Sequence, residues 1–210
     1  MSSKLKKKNK GKFFNRTEQA NMNDYAKRVS NTDKLIEDSY YNIRLIAYQI
    51  LHDKFGFGQK RIVRLENTID KYMEQREDGL KMDELIFFMQ DKCKIDVKAE
   101  VNIVPFRERF ALTKYKINAD SQQSAGMYLL ASLCNYFSLL GVCLKTQFKF
   151  STRQIREVYE WIRYYINTLS RHKQFDLTIK DIAECLIDEV GYCDFRFAGS
   201  GGKEWTQKNI

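Results

Sequence analysis

Proline occurs once in this chain of 210 residues, at Pro105, and histidine only twice, at His52 and His172. A single proline leaves long stretches free to run as helix, because nothing removes a backbone donor or clashes with the preceding turn. Neither histidine stands in an H-x-x-x-H or H-E-x-x-H frame, which severely limits catalytic triads and histidine-based metal centres. The five cysteines (Cys93, Cys134, Cys143, Cys185, Cys193) are scattered without a Cys-x-x-Cys pair. That spacing argues against structural zinc and for buried, reduced thiols. No Gly-x-Gly-x-x-Gly or phosphate-loop pattern occurs. The chain is therefore expected to hold no catalytic residue, metal ligand or cofactor and to take no small-molecule substrate.

Acid is absent from residues 1–16, which carry Lys4, Lys6, Lys7, Lys8, Lys10, Lys12 and Arg16. The formal net charge is +9, from 36 basic and 27 acidic residues, so removing those seven leaves 29 against 27. The remainder is close to neutral and carries a basic arm. The arm has too little apolar content to pack and reads as disordered. It also lacks the apolar run of a secretory signal, so a reducing cytoplasm is the expected setting. Such an arm either solubilises the chain or binds phosphate backbones by releasing counterions, and Phe13 and Phe14 beside the charges suit stacking on bases.

What the chain does have is self-similarity. Phe148–Tyr165 repeats Phe55–Tyr72 at a constant offset of 93 (148 less 55, 165 less 72) without a gap. Phe55 meets Phe148, Phe57 meets Phe150, Ile62 meets Ile155, Ile69 meets Ile162 and Tyr72 meets Tyr165. Upstream, Ser39 meets Ser132, Asn42 meets Asn135 and Leu51 meets Leu144. In each copy an apolar helix runs into a Phe-x-Phe turn and a second helix leaves it. Ser151 with Gln154 reads as a capping box, where the first copy has Gly58. Ile62, Leu65, Ile69 and Tyr72, like Ile155, Val158, Ile162 and Tyr165, recur at helical spacing and define one buried face per copy.

The pattern predicts a mainly α fold, α+β at most, from a duplicated unit of three helices and a strand. Residues 17–30 read as a short polar helix, and Asn31-Thr32-Asp33 as the cap of a helix over 33–54. Further helices are expected over 81–92, 152–168 and, capped by Thr178 with Asp181, over 179–188. Alternation of Ile95, Val97, Ala99, Val101 and Ile103 predicts a half-buried strand over 94–104. Cys193, Phe195 and Phe197 suggest a second strand that could pair with it. The expected division is an arm 1–16, a first repeat 17–104, a linker 105–121 with one helical turn, a second repeat 122–197 and a flexible tail 198–210 containing Trp205.

Ser121–Leu144 contains no charge and is long enough to span a bilayer. Its counterpart holds Asp33, Lys34, Glu37, Asp38 and Arg44, which no membrane span accepts, so a buried central helix is the preferred reading. Asp96-Val97-Lys98 superficially resembles the acid-x-lysine end of metal-dependent nucleases but lacks a convincing upstream acid, and a strand with alternating polar exposure explains it fully. The more informative charges follow the two turns: Lys60, Arg61 and Arg64, then Arg153, Arg156 and Arg163. Cations in a helix's first turn oppose its dipole, and a bound phosphate reverses that sign. An ordinary solvated face and a nucleic-acid surface both fit these six residues.

The stretch Asp53–Arg64, with an acid-x-Phe-Gly-Phe-Gly-x-x-Arg turn between two helices, resembles a group of short proteins carried by phages and prophages of Firmicutes. The resemblance covers about residues 40–97; the second copy departs from it with Lys149 and Ser151 in place of glycines. It implies a mobile-element accessory protein in the host cytoplasm and supplies no catalytic residues. The expected function is non-enzymatic binding of nucleic acid through the arm and the basic helix N-termini. The alternatives are an inhibitor or adaptor that binds a host protein of defence or replication, and a small membrane-associated protein.

Overall fold

The computed structural model describes residues 16–77, 81–114, 117 and 121–192, with the backbone alone for 16–30 and 76–77. The chain divides into two units, residues 1–34 and 35–210. The described part of the first is helical; the packing that follows is that of the second. The elements are α1 (Arg16–Phe55), α2 (Gln59–Glu77), α3 (Met82–Cys93), α4 (Val97–Asn102), a 3-10 helix (Glu108–Leu112), α5 (Gln122–Thr146), α6 (Thr152–Ser170), α7 (His172–Phe175) and α8 (Ile179–Cys185). A π-helical turn, Leu186–Val190, continues α8. The protein is mainly α, and there is no strand among the described residues.

Two expectations are corrected. The helix predicted to start at Asn31-Thr32-Asp33 is already running from Arg16, because residues 16–32 contain neither glycine nor proline to stop it. The strand predicted over 94–104 is the short helix α4. Asp96 accepts the Ala99 amide at 3.0 Å and caps it, and Val97 and Val101 are buried while Ala99 and Ile103 face out. Positions 97 and 101 satisfy both a period of two and an i, i+4 spacing, and the cap decides between them. The acid of Asp96-Val97-Lys98 is thus an N-cap. The second expected strand, the arm through Asn15 and the tail with Trp205 lie outside the described residues.

The expected caps are present. Ser151 Oγ accepts the Gln154 amide at 3.3 Å and the Ser151 amide donates to Gln154 Oε1 at 2.9 Å. Thr178 and Asp181 form the same box at the start of α8. Four helix ends close alike: the amides of Phe57, Ile95, Phe150 and Tyr192 reach back six residues to the carbonyls of Leu51, Met89, Leu144 and Leu186 at 3.0–3.2 Å. The preceding residue is left-handed each time: Gly56, Lys94, Lys149 and Gly191, with φ from 54° to 70°.

Helix α5, free of charge up to Leu144, is the core, contacted by α2, α3, α4, α6 and the 3-10 helix. From Tyr136 to Leu144 every side is buried, which explains the missing charge. By length and composition α5 could cross a membrane, with mean hydropathy 1.7 over its most apolar window, yet 67% of that window is buried inside the fold. Gly141 sets one close approach. A Cβ there would lie 2.3 Å from Tyr159 Oη and 2.4 Å from Met89 Cε, so α3 and α6 both rest where a side chain is missing.

Candidate functional site

The two Phe-x-Phe turns pack against each other, ring to ring. Phe55 stacks on Phe150 with centroids 5.1 Å apart and Phe57 on Phe148 at 5.0 Å, both tilted by 43°. Phe57 also meets Phe150 edge-on at 5.9 Å. Offset and edge-to-face rings at such distances attract beyond their shared burial. This aromatic block fixes where α2 and α6 begin, and so where their first-turn amides and cations sit.

Neither α2 nor α6 has an acidic residue in its first turn. Lys60 and Arg153, each at the second helical position, are exposed and have no ion pair or hydrogen bond among the described residues. Arg61 lies over the Phe57 ring at 3.8 Å and the Phe148 ring at 5.8 Å, with Nη1 donating to the Phe55 carbonyl at 3.5 Å. Arg64 lies over Phe148 at 5.5 Å and donates to Gln147 Oε1 at 3.4 Å. Both guanidinium groups are held on an aromatic floor and stay exposed, which leaves further donors for an anion.

The other two arginines are spent on the fold. Arg156 Nη2 donates to the Lys94 carbonyl at 2.8 Å, closing the end of α3. Arg163 forms an ion pair with Glu100 on α4, both partners largely buried. Arg16 opens α1, and Lys4, Lys6, Lys7, Lys8, Lys10 and Lys12 lie outside the described residues. The structure adds two cations that spacing did not single out: Lys149, exposed inside the second turn, and Lys54, whose Nζ stands 4.1 Å over the Trp161 ring. The signal for both was their place beside the turn phenylalanines.

Cys93, Cys134, Cys143 and Cys185 are free, and burial pushes the Cys143 thiol up to about 12. Burial raises Cys93 and Cys134 as well, despite nearby lysines, so all three stay protonated and unreactive near neutral pH. Two helix N-termini without an acid thus stand beside arginines held on aromatic rings, and none of these three thiols is activated. No family model matches the chain, and neither the curated proteins nor the solved structures contain a match.

Proposed function

We infer that the chain is one helical unit written twice, and we propose that it acts by binding nucleic acid, without catalysis, through its basic arm and the paired turns. Several pairs support the duplication at the offset of 93. Gly56 and Lys149 share a left-handed φ, and the Phe57 and Phe150 amides close their helices with the same 3.0 Å bond. The four rings pair crosswise, Phe55 with Phe150 and Phe57 with Phe148, the pattern of an interface between two like surfaces. The Arg44–Glu66 ion pair at 3.1 Å stands where the second copy has Phe137 stacked on Tyr159 at 4.4 Å. Each second helix also caps a helix end of the other copy, though from non-equivalent positions: Arg156 of α6 donates to the Lys94 carbonyl, and Gln59 of α2 to the Gly191 carbonyl at 2.8 Å.

One observation carries the nucleic-acid reading: two helix N-termini without an acid, each with an unpaired exposed cation, Lys60 and Arg153. In the free protein each cation opposes the helix dipole at a cost of about 0.3–1 kcal/mol. A phosphate at the same place converts amides and cations into converging donors. Arg61 and Arg64 supply further charge beside them, and the arm supplies the sequence-independent part of the affinity. The test is a mobility shift with random-sequence duplex and single-stranded DNA at low salt, comparing the full chain with one lacking residues 1–15 and with Lys60→Gln/Arg153→Gln. Both changes weaken binding if the reading holds; absence of binding by the intact chain ends it.

A second reading, a protein that binds a host protein, draws on the outward-facing Phe87, Met127 and Ile103, exposed by 71%, 62% and 61%. Large apolar side chains on the surface suit a protein partner better than a phosphate backbone. Capture of a stoichiometric partner that is lost on Phe87→Ser and Met127→Ser favours this reading.

A further inference from the structure

Away from the stacked arginines, the last turn of α1 and the π-helical turn bring His52, Asp53 and Glu189 together, with their donor atoms all within 4.8 Å of one another. We propose that these three side chains bind a divalent first-row transition metal ion, with zinc(II) best suited to one imidazole and two carboxylates. The ligand spacing supports it. Two donors about 2.0–2.2 Å from zinc at a tetrahedral angle lie about 3.3–3.6 Å apart. His52 Nε2 and Glu189 Oε2 are slightly closer, at 3.2 Å, and the full set lies within 4.8 Å. A bound ion thus needs small side-chain shifts, which exposed Asp53 and Glu189 allow.

The outer partners support it as well. His52 Nδ1 faces the Phe57 carbonyl at 3.0 Å, and a carbonyl only accepts, so the ring proton belongs on Nδ1. Nε2 then faces the Glu189 carboxylate at 3.2 Å, and either a proton or a metal ion between them satisfies both atoms. A backbone carbonyl behind Nδ1 is the usual means of orienting a metal-bound imidazole. The Phe57 carbonyl is itself fixed, since its residue closes α1 through the Leu51 bond and packs among the turn rings. Asp53 takes Gln49 Nε2 on Oδ1 at 2.9 Å and faces the Tyr165 hydroxyl from Oδ2 at 3.4 Å. Glu189 is hydrogen-bonded to the Cys185 thiol, whose sulfur is 3.5 Å from Gln49 Nε2. Each candidate ligand thus has a partner that aims it.

Glu189 reaches the histidine from a π-helical turn, a rare conformation found often at functional sites. Asp53 and Glu189 are exposed, so three protein ligands would leave one position of a tetrahedral ion open to water or to another donor. The set is poor for calcium, which takes six to eight oxygens, whereas imidazole with carboxylate suits zinc, cobalt and nickel.

The test uses the untagged full chain, freed of metal by chelator and titrated with cobalt(II), followed by displacement with zinc(II). The expected result is one equivalent of cobalt giving visible d–d absorption that zinc abolishes, weakened at least about tenfold in Glu189→Gln and Asp53→Asn. Glu184→Gln, which alters only an exposed ion pair with Lys180, leaves the titration unchanged. Absence of a saturable band, equal affinity in Glu189→Gln, or a thiolate charge-transfer band that moves the ion to the cysteines overturns the proposal. Circular dichroism of each variant shows that the fold is kept, and thermal stabilisation by zinc in the wild type alone gives an independent readout.

Discussion

Gly56 and Lys149 occupy the same left-handed backbone conformation, at φ of 63° and 58°, in the turns that follow α1 and α5. Glycine adopts it without cost, whereas a residue with a Cβ is strained by about 1 kcal/mol. Lys149→Gly is therefore expected to stabilise the protein by about 0.5–1 kcal/mol. Gly56→Ala is expected to destabilise it by about 1 kcal/mol, through backbone strain alone, because a Cβ there has nothing within 4 Å. Urea denaturation of both variants checks the opposite signs.

The Arg44–Glu66 pair allows a transplant. Tyr192 also donates to Glu66 at 2.9 Å, so Glu66→Tyr alone removes a carboxylate that both Tyr192 and the largely buried Arg44 engage, at about 1–3 kcal/mol. Arg44→Phe with Glu66→Tyr copies the Phe137–Tyr159 stack found at the offset of 93. A double-mutant cycle is expected to show favourable coupling of about 1 kcal/mol or more. Additive losses would argue against equivalence of the two positions.

Close packing at Gly141 predicts that Gly141→Ala destabilises by about 1–3 kcal/mol, since the new methyl must displace the Tyr159 hydroxyl or the Met89 thioether. The Tyr159 hydroxyl is tied to the Phe137 carbonyl and cannot move freely. Thermal denaturation of the variant measures the loss.

Cys143 gives a pH dependence. Its thiol titrates near 9.0 when unfolded and is pushed up to about 12 by burial in the fold. Between those values the unfolded chain loses the proton and the folded chain keeps it, so stability falls as pH rises, by up to about 1.4 kcal/mol per pH unit from this group. Below pH 9 the group contributes no slope. Comparing denaturation midpoints of the wild type and Cys143→Ala from pH 8 to pH 11 isolates the effect. At pH 8 a thiol reagent is expected to modify Cys143 only as fast as the fold opens.

Local signals were legible in the sequence and distant ones were not. The boxes at Ser151/Gln154 and Thr178/Asp181 lie within four residues, and the structure places both. The charge-free run reads as a core helix because its counterpart carries charges, and α5 is buried as that requires. Val97 and Val101 fit two periodicities, so their alternation read as a strand until the Asp96 cap was seen. The roles of Arg156 and Arg163 depend on the Lys94 carbonyl and on Glu100, both more than sixty positions away. Glu189 stands still farther from His52, and no spacing rule joins them.

The proposed anion binding at the two helix N-termini is tested most directly by the salt dependence of DNA binding in the wild type and in Lys60→Gln/Arg153→Gln. Each phosphate contact adds about 0.9 to the slope of log affinity against log salt on duplex DNA, so loss of both cations is expected to reduce the slope by nearly 2. The same variant is expected to be more stable when free, by about 0.6–2 kcal/mol, because two cations no longer oppose the dipoles of α2 and α6. An unchanged slope would contradict the account.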